Sequence, residues 1–408
     1  MMEKQLSSIV PSRNIPQLRF SEFDLDYKKV ELKKVATFNP KSEELPESFI
    51  YIDLESVKNG LLSKEERINK SDAPSRAQRL LRKDDIIYQT VRPYQKNNYF
   101  FDKNVNDYVA STGYAQIRTK QVSEYLYQYL HTEKFVNKVL VRCTGTSYPA
   151  INSTDLSKIS INIPNIPEQQ KIAAFLTDVD DKITKLTKKK DLLEQYKKGV
   201  MQKIFNQELR FKDDNGNAFP KWRKGRIDEF GYFYYGKSAP KFSLSDDAPT
   251  PCVRYGELYS TYDEVIIDIK SYTNIEPSNL KFSKGGEVLV PRVGEDPLDF
   301  ANCSYLPFPN IAIGEMISVY NTEENGLFIT YYFNAKLREK FARVVEGANV
   351  SNLYFKYLED IEVQIPSLDE QYKIVSFLTD ITNKIKAVTT KIEKAQSFKK
   401  GLLQQMFV

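Results

Sequence analysis

Residues 163–205 of this chain, IPNIPEQQKIAAFLTDVDDKITKLTKKKDLLEQYKKGVMQKIF, recur at 365–407 as IPSLDEQYKIVSFLTDITNKIKAVTTKIEKAQSFKKGLLQQMF. The copies align without a gap at an offset of 202, with 19 of 43 positions identical. A chain that carries one long segment twice carries twice whatever that segment supports, so the duplication points to a pseudo-two-fold object. In the first copy the apolar residues fall at Ile172, Leu176, Val179, Ile183, Leu186, Leu193 and Val200, with Lys190 and Lys197 in the gaps. The second copy has Ile374, Leu378, Ile381, Ile385, Val388, Ile392 and Leu402, with Lys399 in its gap. Steps of four and three residues make this a heptad seam, which needs a partner helix. About 38 helical residues at about 1.5 Å each give a rod of about 57 Å.

Asn165 with Glu168, and Ser367 with Glu370, have capping-box spacing and predict where each helix starts. Gly199 and Gly401 interrupt both copies at one register, where glycine costs roughly 1 kcal/mol against alanine, so a kink or close backbone approach is expected.

The duplication extends outward. Gly145 matches Gly347, Asp85-Ile86-Ile87-Tyr88 matches Glu287-Val288-Leu289-Val290, and Leu18-Arg19-Phe20 matches Leu209-Arg210-Phe211. Short β-rich runs such as DDIIYQTV and GEVLVPRV, broken by Gly, Pro, Asn and Asp, precede each helix. The expected fold is α+β. Mixed domains at 1–163 and 207–365 alternate with long helices at 164–206 and 366–408. Periodicity alone leaves parallel and antiparallel pairing of the helices open.

Catalytic signatures do not emerge. The letters GxxxxGK[ST] occur once, as GYFYYGKS at 231–238, but a tyrosine-rich run followed by Ala239-Pro240 is not the strand–loop–helix setting of a phosphate loop, and the sequence holds no GxGxxG, no HExxH, no GxSxG and no CxxC. Its single histidine, His131, is a poor basis for acid–base chemistry. Asp84 and Asp85 are expected in a solvated loop, and Asp178, Asp180 and Asp181 on a solvated helix face. Cys143, Cys252 and Cys303 lie far apart, as reduced thiols would. No apolar run has membrane-spanning length and the first residues lack a signal-peptide core, so a cytoplasmic protein without membrane partners is expected.

The block P-x-x-x-E-Q-x-x-I-x-x-x-L, present twice, with helices ending KKGVMQKIF and KKGLLQQMF and with preceding loops GTSYPAINSTDL and GANVSNLYFKYL, resembles the specificity subunit of a Type I restriction–modification system. The resemblance spans essentially the whole chain. It implies two target recognition domains joined by conserved helices in an antiparallel coiled coil. Each domain would read one half of a split double-stranded DNA target, with the helices setting the spacer. It further implies two modification subunits that methylate adenine, and two restriction subunits. The chain itself would be non-catalytic and bind no cofactor; S-adenosylmethionine, ATP and Mg would belong to the partner subunits.

DNA reading needs cations for phosphates and forked donors for base edges. Candidate readers are Gln89, Thr90, Arg92, Lys96 and Asn97 after the DDIIY run, with Asn98 beside them. Thr144, Thr146 and Ser147 in the next loop join them, as do Arg292, Glu295, Asn349, Ser351 and Asn352 in the second domain. Arg67, Arg76, Arg79, Arg82 and Lys83 form a candidate phosphate cluster. Two competing readings stay open from the residues alone: a coiled-coil scaffold whose end domains bind proteins, and an enzyme hidden in the β-rich domains.

Overall fold

The computed structural model describes residues 14–41, 44–347 and 350–408. The chain forms two compact units, one made of residues 1–188 and 389–408, the other of 189–388. The two stem helices run over Ile166–Phe205 and Leu368–Gln405. Each unit therefore takes one globular domain, part of the helix that follows it and part of the other helix.

In the first unit, Asp85–Gln89 is the inner strand of a four-stranded sheet, between Tyr114–Thr119 and Tyr99–Phe101, with Ala36–Phe38 at the edge. All five of its residues are buried, which explains the unbroken apolar run. Alternate side chains leave opposite faces of a strand. Ile86 and Tyr88 join the core under the stem, while Ile87 joins a second core with Tyr99 and Phe101. A second sheet orders Glu66–Asn69, Ser48–Ile52, Tyr108–Ser111 and Ala77–Leu80, with a parallel pair at its centre.

The second unit repeats this plan. Glu287–Pro291 lies between Ile317–Thr322 and Ser304–Leu306, with Gly231–Tyr235 at the edge. Val288 and Val290 face the stem core, and Leu289 faces the other. Its second sheet again has a parallel pair, Thr250–Val253 with Pro309–Ile313. Asp85 is not solvated as its loop-like context suggested: it is buried and held by both arms of Arg118 at 2.7 Å, while its carboxylate caps the N–H of Arg82.

Within each unit the stem segments pack antiparallel, settling what periodicity left open. Ile172, Leu176 and Val179 share a core with Leu402, Met406 and Phe407; Val200, Ile204 and Phe205 share one with Ile374, Leu378 and Ile381. Ile183 and Ile385 pack half-buried against these cores. Val388 and Ile392 are buried, and Leu186 and Leu193 half-buried. The lysines in the seam gaps are neutralised: Lys197 pairs with Glu264 at 2.5 Å, Lys399 with Asp180 at 2.6 Å, and Lys190 with Glu194 at 3.2 Å. Asp180 is thus tied down, not merely solvated, and also accepts from Gln128. Gly199 and Gly401 are not close-approach sites, because a Cβ at either would meet nothing within 4 Å.

The E-Q pair of the repeated block fastens each domain to its stem. Arg19 grips buried Glu168 with two 2.8 Å bonds, and Tyr27 donates to the same carboxylate at 3.0 Å. In the second unit Arg210 grips buried Glu370 at 2.6 and 2.7 Å, with the Trp222 indole donating at 3.2 Å. Gln169 donates to Pro164 O and accepts from the N–H of Val122; Gln371 does the same with Pro366 and Asn325. The expected capping boxes are therefore not made. Asn165 caps Glu168 N, but the Ser367 hydroxyl is buried without a partner, and each glutamate takes the arginine, a stronger partner than an N–H. Phe407 packs on Tyr125 and Tyr129, as Phe205 packs on Phe328 and Tyr332. Among the described residues no helix is long and apolar enough to cross a membrane.

Candidate nucleic-acid interface

Where the inner strand leaves the sheet, both domains build a short ladder from segments far apart in sequence. In the first, Val91 and Thr144 each bridge to Ala150; in the second, Val293 and Glu346 each pair with Asn352. The turn between needs a left-handed residue. Gly145 has φ 87° and Gly347 φ 119°, and a Cβ there would come within 3.2 Å of Tyr148 O and 2.5 Å of Val350 O. The loop candidates cluster at these ladders.

The individual candidates divide by what already holds them. Gln89 and Thr90 are buried. The Gln89 amide donates to Gln95 and accepts from the N–H of Asn97, and the Thr90 hydroxyl donates to Gly113 O at 2.7 Å. Both are occupied in shaping the loop. Asn98 is buried too: it accepts from the N–H of Gln89 and lies 3.4 Å from His131 Nε2, while His131 Nδ1 is 2.8 Å from Tyr127 O. Burial, with Lys399 and Lys96 adding to it, pushes the His131 pKa down to about 4, so the ring is a neutral bracket. Lys96 pairs with Glu133 at 2.7 Å, and Asn97 accepts from the N–H of Asn59. Thr144 is pinned through its backbone to Ala150, whereas Thr146 and Ser147 are exposed at the turn.

In the second domain Ser351 is buried on the ladder, Asn352 exchanges backbone bonds with Glu346, Glu295 is exposed, and Asn349 lies outside the described residues. The basic cluster is only partly free. Arg67 pairs with Asp107, Arg82 is engaged, Arg76 and Lys83 are exposed, and burial lowers the Arg79 pKa, with its Nε lacking an acceptor.

Arg92 and Arg292 stand apart. The Arg92 guanidinium lies 4.2 Å over the ring of Tyr148, itself 63% exposed. Arg92 is also left-handed (φ 53°, ψ 54°), a backbone strain of order 1–3 kcal/mol that the surrounding bonds must hold. Arg292 sits 4.7 Å over Tyr235 and 5.5 Å over Tyr354, its Nε buried without an acceptor. Among the described residues neither forms an ion pair. Arg19, Arg118 and Arg210 all hold carboxylates. Sequence reasoning found both arginines and, in its candidate loop, Tyr148, but not that this ring lies beneath Arg92; it missed Tyr235 and Tyr354, which come from remote segments with no periodic signal. It also noted the Leu-Arg-Phe markers without their purpose; the buried glutamate of the E-Q pair was the signal available.

Residues 25–195 and 220–397 each match the family model described as the Type I restriction modification DNA specificity domain. The HindI specificity subunit of Haemophilus influenzae is 30% identical over 163 residues, covering 38% of this chain and 35% of that protein. The putative MjaX specificity subunit of Methanocaldococcus jannaschii is 25% identical over 290 residues, 68% of this chain and 65% of that protein. The matches thus span from about a third to just under two thirds of these relatives' lengths. Among solved structures, a Type I restriction–modification S subunit from M. genitalium superposes with a TM-score of 0.60 at 15% identity, over 97% of this chain and 99% of that one. A chain from a Type I restriction–modification assembly gives 0.58 at 20% identity, over 93% and 97%. These two share the fold.

Proposed function

Because the chain belongs to the family of Type I restriction modification DNA specificity domains, we propose that it is the DNA-reading subunit of such a system. Each globular domain reads one half of a bipartite duplex target, and the antiparallel stems fix the spacer. The chain performs no chemistry; modification subunits bearing S-adenosylmethionine methylate adenine, and restriction subunits using ATP and Mg join them.

The observation that carries this reading is one scaffold built twice with different residues on its ladders. The stem junctions share the bidentate Arg–Glu pair and the glutamine bonds, while the turns read Thr-Ser-Tyr in one domain and differ in the other. A frame held constant under a varied surface suits one partner class met in two sequences. The stems also offer a repeated docking face. Tyr196 and Phe398, 53% and 55% exposed, occupy one register, each beside a glycine that opens on empty space. This suits two copies of a modification subunit better than a protein-binding role for the end domains.

The test is methylation of random-sequence DNA by the chain assembled with its cognate modification subunits. The reading predicts methylated adenines confined to a bipartite motif, with affinity that falls steeply as salt rises. Methylation without a motif, or by the isolated chain, contradicts it.

A further inference from the structure

The ladder is fixed in register, but the arginine stacks on it are not. Val91 and Ala150 correspond to Val293 and Asn352 at the repeat offset. Arg92 follows Val91 and sits on Tyr148, before Ala150; Arg292 precedes Val293 and reaches Tyr354, beyond Asn352. The backbone bonds stay in place: Ile151 N–H donates to Thr90 O at 3.0 Å in the first ladder, and Leu353 N–H donates to Arg292 O at 2.8 Å at the same offset in the second, so Arg292 stands where Thr90 stands. Along an otherwise constant frame the arginine has shifted by two residues, about 7 Å at about 3.3 Å per residue, and the tyrosine of the opposite segment by four.

A contact to phosphate common to both halves would be expected to stay where the frame stays. A reader of sequence is the part expected to move. Stacking on tyrosine covers the guanidinium face and leaves its in-plane N–H fork unspent, since among the described residues no carboxylate takes it. That fork matches the O6 and N7 acceptors on the major-groove edge of guanine.

We infer that Arg92 and Arg292 each read one guanine, one per half-site, at positions offset by about two base pairs relative to the domain frame, given about 3.4 Å per step. Tyr148, and Tyr235 with Tyr354, are positioning residues that hold the forks. The inference rests on the DNA-reading function above.

The experiment selects bound duplexes from a random-sequence library with the full chain and its modification subunits, comparing wild type with Arg92→Ala, Arg92→Lys, Arg292→Ala and Arg292→Lys. Each alanine variant should lose discrimination by about 10- to 100-fold at a single G·C pair in its own half-site, leaving the other half unchanged. The lysine variants keep the charge and the salt slope but still lose that discrimination. Replacing the guanine by 7-deazaguanine should weaken wild type and leave the alanine variant indifferent, a readout that needs no altered wild-type fold. Uniform weakening across sequences, with the salt slope reduced by about one and the motif intact, would make the arginines phosphate contacts and overturn the inference. An unchanged motif at unchanged affinity overturns it as well. A wild-type chain that selects no motif overturns the DNA-reading function itself, which separates the two failures.

Discussion

The stem junctions and the ladders of this chain have diverged to different degrees. At the junctions, the two copies preserve a bidentate Arg–Glu pair, an aromatic donor to the same carboxylate, and a glutamine that bonds a proline carbonyl. At the ladders, the glycine turn and bridging pairs persist while the side chains around them change. On the proposed DNA-reading function, the junctions hold the frame and the ladders carry the residues that differ between the half-sites.

The largest effects should come from breaking a junction. Glu168→Ala leaves the part-buried Arg19 without its anion, and Glu370→Ala does the same to Arg210; losing one partner of such a pair costs about 3–5 kcal/mol. Chemical denaturation should show similar losses for the two variants, and a large inequality would break the equivalence. Phe205→Ala and Phe407→Ala empty the matching aromatic contacts and should each cost about 3–5 kcal/mol.

These junctions were half legible in the sequence. The seam showed itself through its period, and the inner strands through apolar runs that both faces bury. The Leu-Arg-Phe markers were visible as a repeat, but the bond from Arg19 to Glu168 spans 149 residues and that from Arg210 to Glu370 spans 160, so no local pattern announces it. The capping-box spacing pointed the wrong way because a carboxylate near an arginine abandons the N–H. Asp85 misled for the same reason: its partner Arg118 arrives from a neighbouring strand. The arginine stacks were the least legible, being assembled from two separate segments in the first domain and three in the second.

A smaller effect should distinguish the units. His131 has no histidine counterpart in the second unit, the chain having only one. Its folded pKa is depressed from 6.5 to about 4, chiefly by burial. Between those values the unfolded chain binds a proton that the folded chain refuses, so the stabilisation is whole above pH 6.5 and is lost as pH falls toward 4. Discounted for solvent screening because the residue as a whole is half-buried, the loss is about 2 kcal/mol. His131→Asn should flatten this part of the pH profile of the first unit, followed by hydrogen exchange in residues 77–140.

The smallest change should be a gain. Gly199→Ala and Gly401→Ala place a methyl in open space on a helix and should each stabilise by up to about 1 kcal/mol. If the same faces receive modification subunits, the bulkier Gly→Leu variants should weaken assembly in pull-down with those subunits while leaving the thermal midpoint of the free chain near that of wild type.

The account turns on a constant frame carrying two independent readers. The most direct measurement maps the methylated adenines made by a complex whose second globular domain has been replaced by a copy of the first. An antiparallel frame should then yield an inverted repeat of the first half-site, with the original spacer. A target that keeps the original second half-site would show that reading is not carried by the domains one half each, and would contradict the account.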